Sequence, residues 1–125
     1  AVSAHVGYFG DVMATFVELT GATAPKILDS ISLVPELLGR GEQAKHPYLY
    51  WEFYEKGFSQ AVLLDGRWKG IRLLKPSAPI RLFDLRHDLG EKTDLAAQQP
   101  ELVARAAAVM REAHVDNEFW KAPKS

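Results

Sequence analysis

The side chains of this chain that could do chemistry are mainly histidines and carboxylates, and their spacing decides what they could do. The four histidines are scattered singly along the sequence: His5, His46, His87 and His114. None has the i, i+4 partner on a helix that a pair of metal-binding histidines would have. The histidines by themselves therefore predict no metal centre and no catalytic dyad.

Two sets of carboxylates could bind calcium or exchange protons. One set comes late in the chain: Asp84, Asp88, Glu91 and Asp94. Carboxylate oxygens suit calcium, but this spacing fits no EF-hand loop and lacks its glycine, so it predicts a capped, solvated turn. In the other set, Glu52 and Glu55 could form the acid–base pair of a glycosidase. Alternation along a strand puts those two on opposite faces, so a small hydrolase centred on Glu52 is only an alternative.

Composition narrows the classes of protein further. The length of 125 residues is that of a single domain, and 47% hydrophobic with 25% charged residues is typical of a globular chain. A net charge of −1, with the basic residues spread among acids, argues against nucleic-acid binding. No apolar run approaches the roughly 20 residues of a membrane span. The absence of cysteine excludes disulfides and thiolate nucleophiles within the chain.

The stretch that would position any site is residues 46–55, which combines strand-forming side chains with the highest aromatic density of the chain. Alternation in an extended backbone puts Leu49, Trp51 and Phe53 on one face, which we expect to be the core. The other face carries the hydroxyls of three tyrosines together with the carboxylate of Glu52. A face of that kind lies at a wet surface or lines a place where something polar binds.

The remaining elements follow from periodicity and turn residues. Further strands are predicted at 59–64, 67–73 and 80–85, and Asp65-Gly66 predicts a tight hairpin turn that sets Trp68 opposite Leu63. Short helices are predicted within 10–21 and 32–39, and an alanine-rich one begins at Pro100. The fold class is therefore α+β, a four-stranded antiparallel meander with a long C-terminal helix packed on one face, preceded by two short helices.

Taken in order, these segments resemble the sulfatase family. Residues 10–21 are similar to its "aspartate, two apolar, proline-threonine, then leucine-x-glycine" helix, with Ala14 in place of the proline. Residues 29–39 resemble its "aspartate-glycine-x-serine-leucine-x-proline-x-leucine" segment, with Ser30 at the glycine. Residues 46–55, 60–62 and 66–72 look like the strands of the C-terminal subdomain of bacterial arylsulfatases. Residues 82–91 resemble its "leucine-tyrosine-aspartate-leucine" and "aspartate-proline-x-glutamate" signature, with Phe83 and Leu89 as departures.

The resemblance implies a C-terminal piece of a formylglycine-dependent sulfuric-ester hydrolase. Residues 1–41 would close the large domain, and 42–125 would form the C-terminal α+β subdomain. In the family, the formylglycine and the calcium ligands belong to the large N-terminal domain. The resemblance therefore implies no catalytic residue and no metal ligand in this chain, and a chain that is inactive alone. The resemblance also favours a bacterial enzyme that is periplasmic or secreted.

The partners that the resemblance implies are the N-terminal sulfatase domain and a sulfated small molecule or glycan. We expect the isolated piece to self-associate, and we expect no nucleic acid or membrane as partner. In the family the small subdomain can border the active-site cleft, and residues at the rim of that cleft can contact the substrate. The predicted rim residues lie at the entrance of the first strand and at the first hairpin turn: His46, Tyr54, Glu55 and Gln60. The alternative is a separate carbohydrate- or protein-binding module that uses the face of Tyr48, Tyr50 and Tyr54.

Overall fold

The computed structural model describes residues 2–26, 29–55, 57–116 and 118–119. These residues form two compact units, Ala1–Pro47 and Tyr48–Ser125. No helix within the described ranges is long and apolar enough to cross a membrane.

The first unit contains two short helices, as the sequence predicts. Helix α1 spans Asp11–Thr20 and ends at Gly21, which has φ 67°. Helix α2 spans Val34–Leu38 and ends in the same way at Gly39, with φ 61°. Both helices end at a residue in the left-handed conformation, which glycine adopts without a steric penalty.

Helix α1 buries two polar residues and exposes much of its apolar stripe. Asp11 and Thr15 are buried, whereas Met13, Phe16 and Leu19 are each more than half exposed. The apolar stripe that predicted this helix is therefore not buried within the described residues.

The second unit is a four-stranded antiparallel meander with one long helix, which confirms the predicted fold class. The strands are β1 (Tyr48–Phe53), β2 (Phe58–Leu64), β3 (Trp68–Leu74) and β4 (Arg81–Asp84), and they pair in chain order. Helix α3 spans Pro100–Glu112. Its Ala106, Val109 and Met110 are buried in one cluster with Val62 and Leu64 of β2.

Helix α3 covers the tyrosine face of β1, whereas the sequence predicted that the face of Leu49, Trp51 and Phe53 would be the core. Tyr48 and Tyr50 pack against the core cluster beneath α3, while Trp51 and Phe53 are 43% and 49% exposed. Only Leu49, of the predicted core face, is buried. Tyrosine rings bury well when their hydroxyls find partners, so alternation separated the two faces correctly but did not identify the covered one.

The β2–β3 hairpin is shifted by one residue from the predicted register. Trp68 lies opposite Leu64, and Lys69 opposite Leu63. Asp65 and Gly66 have the positive φ values of a tight turn, 53° and 63°, but Arg67 is an additional loop residue whose N–H donates to the carbonyl oxygen of Leu64 at 2.9 Å. A slip of one residue moves a side chain to the other face. Trp68 consequently packs against the core cluster beneath α3.

Candidate functional site: a carboxylate cluster at the end of the sheet

A connected polar cluster of the second unit is centred on Glu52, near the end of β1. One oxygen of this carboxylate, Oε2, accepts hydrogen bonds from Tyr50 Oη at 2.5 Å and Tyr54 Oη at 2.8 Å. It also lies 2.8 Å from Nδ1 of His114, which follows α3. The side chain of Glu52 is 15% exposed, so these contacts replace much of its hydration.

The register of the sheet brings further residues to the same place. Gln60 lies directly opposite Glu52, and Arg72 directly opposite Gln60. Gln60 donates from Nε2 to Tyr50 Oη at 2.8 Å, and its Oε1 accepts from Arg72 Nη1 at 3.3 Å. Three adjacent strands therefore contribute to one connected network.

The network holds Glu52 in its ionised form. Burial alone would raise the pKa of Glu52, but the hydrogen bonds from Tyr50, His114 and Tyr54 outweigh burial and lower it. Burial and the neighbouring carboxylate raise the pKa of Tyr50 and of Tyr54. A carboxylate kept ionised is poorly suited to act as a general acid at neutral pH. This arrangement weakens the alternative of a small hydrolase centred on Glu52.

One of the four predicted rim residues belongs to the first unit and the other three belong to the second. Tyr54 and Gln60 both belong to the Glu52 network, although Gln60 is only 6% exposed. Glu55 is exposed beside Gly57. His46 lies in the first unit, where its Nε2 is 2.8 Å from Asp11 Oδ1 and its ring meets Tyr8 edge-on. The assignment of these residues to substrate contacts stays a prediction.

Asp11 is a buried group that sequence reasoning treated only as a helix-terminal acid. Its Oδ1 accepts from the N–H of Ile31 at 3.0 Å, and its Oδ2 accepts from the N–H of Tyr8 at 3.1 Å. Burial raises the pKa of this carboxyl, but these hydrogen bonds and the one from His46 lower it by more. Asp11 therefore joins three separate segments of the first unit, a role that the local sequence does not reveal.

The acidic residues between 84 and 94 each have their own hydrogen-bonding partners. Asp84 binds Arg67 through both oxygens, at 2.9 and 2.6 Å, and Glu91 binds Lys69. Asp88 accepts from two backbone N–H groups, and Asp94 accepts from the N–H of Leu82. Within the described ranges no three histidine, cysteine, aspartate or glutamate side chains are grouped to hold a metal ion. These four carboxylates are each held by a basic side chain or by backbone N–H groups, as expected for a capped turn rather than a calcium loop.

One stretch matches the serine form of the family's formylglycine motif, serine-x-proline-x-arginine, and sequence reasoning passed over it: Ser77-Ala78-Pro79-Ile80-Arg81. Ser77 is exposed in the turn between β3 and β4, and Ile80 is buried in the core cluster. Arg81 lies 3.5 Å from Asp94 and over the ring of Phe83. The spacing of the motif is present, but these residues belong to a turn and to the core rather than to a cluster of carboxylates.

Comparison with solved structures identifies the fold. A protein assigned as a sulfatase from Bacteroides thetaiotaomicron shares 27% identity over 82% of this chain, with a TM-score of 0.68. A 2-O GAG sulfatase shares 27% identity over the same fraction, with a TM-score of 0.69. The phosphonate monoester hydrolase of Agrobacterium radiobacter covers 85% of the chain at 24% identity and a TM-score of 0.60, a likeness of fold alone.

No family model matches the chain, and no curated protein matches it. The resemblance to sulfatases predicted from the sequence is nevertheless confirmed by the solved structures. The chain spans 23% of the length of each of the two sulfatases, so it corresponds to one portion of a chain of that kind.

Proposed function

We propose that this chain is the C-terminal subdomain of a sulfuric-ester hydrolase, that it supports the large domain, and that it carries no turnover by itself. The observation behind the proposal is the match to two sulfatases over 82% of this chain but 23% of theirs. In such an enzyme the formylglycine and calcium would be supplied by the large domain, and the residues here would serve binding and support.

Exposed apolar side chains indicate surfaces that the large domain would cover. Phe53, Ser59 and Leu73 lie side by side across three strands, on the face of the sheet that α3 does not cover. Phe53 and Leu73 are 49% and 44% exposed. We call Trp51, Phe53 and Leu73 the open face. Apolar patches of this kind are uncommon on monomeric proteins and mark interaction surfaces.

Helix α1 presents a second surface of the same kind. Its exposed residues include the apolar Met13, Phe16 and Leu19, while the buried ones are Asp11 and Thr15. A helix normally buries its apolar stripe. The inverted arrangement fits a helix whose outer surface packs against protein beyond the described residues.

For the substrate, Tyr54 is the best-placed of the predicted rim residues. It follows the end of β1, its hydroxyl is held by Glu52, and its ring stacks on Phe58 at 5.7 Å between centroids. Ends of strands are where a rigid scaffold presents binding groups. His46, Glu55 and Gln60 stay as further candidates, with the buried Gln60 better suited to holding Tyr50 in place.

The test is to express the chain alone and within its longer open reading frame, and to assay both with an aryl sulfate and calcium. The proposal expects turnover only from the longer protein. A phosphonate monoester belongs in the same assay, because the shared fold does not distinguish the two ester classes. Turnover by the short chain, or a stop codon in frame immediately upstream of Ala1, would refute the proposal.

The motif at 77–81 requires its own test. We expect Ser77 to stay a serine, since no carboxylate cluster surrounds it within the described part of the chain. Intact mass and peptide mapping of the longer protein would detect the loss of two hydrogens that accompanies conversion to formylglycine. Conversion at Ser77 would place the catalytic group in this chain and overturn the assignment of the chemistry to the large domain.

A further inference from the structure

The segment that follows α3 is attached to the sheet through one histidine. Nδ1 of His114 lies 2.8 Å from Glu52 Oε2 on β1, and Nε2 lies 3.0 Å from Asp116 Oδ1. Both partners are carboxylates, which accept hydrogen bonds when ionised and donate none. Both ring nitrogens must therefore donate, and only the doubly protonated imidazolium has two N–H groups.

We propose that His114 is a pH-sensitive latch, which holds residues 113–116 against β1 while its ring is protonated and holds them less tightly when the ring loses a proton. A neutral ring can donate to only one of the two carboxylates. The lone pair on its other nitrogen would then point at a carboxylate oxygen, which is a repulsive contact. Loss of one proton thus removes one hydrogen bond and weakens the attachment of the whole segment.

The other charged and titratable groups around the latch come from β1, from β3 and from the segment itself. From β1, Glu52 is held ionised, and Tyr50 and Tyr54 have pKa values raised above the ordinary 10.0. From β3, Arg72 approaches the network through Gln60. Asp116, on the segment itself, is exposed. His114 is the member of this cluster whose ordinary pKa, 6.5, lies near neutral pH.

The sign of the pH dependence follows from these contacts. The hydrogen bond to Glu52, and to a smaller extent the one to Asp116, raises the pKa of His114 above its ordinary value of 6.5. A group whose pKa is raised on folding contributes its full stabilisation below the unfolded value and loses it as the pH rises through the folded one. The latch has its full strength at pH 6.5 and weakens as the pH rises through the raised pKa of His114.

The experiment is an NMR titration of the full chain that follows the His114 ring together with amide exchange at residues 113–116. We expect His114 to titrate above 6.5. Protection factors of these amides, corrected for intrinsic exchange, should fall about two- to fivefold through that titration, the range of a partly exposed ion pair. Amides in the middle of β2 should show no such change.

Two variants distinguish the latch from a general effect of pH. His114→Gln should abolish the pH dependence at 113–116 and leave the core amides unchanged. His87→Gln is the matched control, because His87 also pairs with a carboxylate, Asp84, at 2.8 Å but lies away from this segment. It should retain the wild-type titration at 113–116.

A His114 pKa at or below 6.5, or protection that does not change with its titration, would overturn the latch. So would an unchanged pH dependence in His114→Gln. The latch requires no catalytic activity, so its failure would leave the proposed function untouched, and an inactive longer protein would leave the latch untouched.

Discussion

The position that limits how closely α3 approaches the sheet is Gly70, and we predict that Gly70→Ala destabilises the second unit. A Cβ built at Gly70 would lie 3.0 Å from the Cβ of Ala106 on α3, 3.2 Å from Val62 Cγ1 on β2 and 3.4 Å from Ile80 Cγ2. All three neighbours are buried in the core cluster. None is the far end of a flexible side chain, so none can move away freely.

The expected cost is that of adding a methyl group to a packed core, about 1–3 kcal/mol. The usual gain from replacing a strand glycine by alanine is roughly 0.5–1 kcal/mol, and it partly offsets this cost. We therefore expect the free energy of unfolding to fall by about 1–2 kcal/mol, with the larger part from displacement of α3. Urea unfolding followed by far-UV circular dichroism would measure the change.

Two further variants make this prediction specific. Gly90→Ala is the matched control, because its added Cβ would meet only the flexible side chain of Lys92 and atoms of Asp88, at 3.3 Å or more. It should be close to neutral. Combining Gly70→Ala with Ala106→Gly should cost less than the sum of the single changes, because the second removes the methyl that the first contacts. Equal or greater stability of Gly70→Ala than wild type would refute the reasoning.

Three other predictions follow from the contacts. Asp11→Ala should lower the free energy of unfolding by about 1–3 kcal/mol, since it leaves the partly buried N–H groups of Tyr8 and Ile31 without their acceptor. The exposed Asp29→Ala should be nearly neutral in the same urea experiment, and equal effects would contradict the role of Asp11. The hydrogen bond from Arg67, and to a smaller extent the one from His87, lowers the pKa of Asp84 below its ordinary 3.8. The stabilisation that ionised Asp84 contributes is therefore present above pH 3.8 and is lost as the pH falls through the lowered pKa. Asp84→Asn should remove that acid dependence, whereas Asp65→Asn, in an exposed pair with Arg105, should retain it. Phe53→Lys on the open face should weaken the self-association of the chain, as measured by sedimentation velocity. Leu89→Lys is the control and should not weaken it, because Leu89 is 84% exposed and lies outside this face. A wild-type chain that stays monomeric at all concentrations would refute the expectation of self-association.

The sequence alone predicted the elements and their order, because the signals for them are local. Alternation predicted β1, Asp65-Gly66 predicted a turn, and Pro100 marked the first residue of α3. The α+β class and the resemblance to sulfatases followed from the same segments in sequence order, and both are confirmed. The division into 1–41 and 42–125 and the rim assignments stay predictions.

Only the tertiary structure decided which face of β1 is covered, because alternation separates two faces without saying where a helix will pack. The tyrosine face is covered, since Gly70 and Ala106 allow α3 to approach it and Glu52 satisfies the hydroxyls of Tyr50 and Tyr54. The partners of His114 and Asp11 likewise come from residues 62 and 35 positions away, respectively. No local pattern encodes such pairings, so the Glu52 network and the buried Asp11 became visible only in the folded chain.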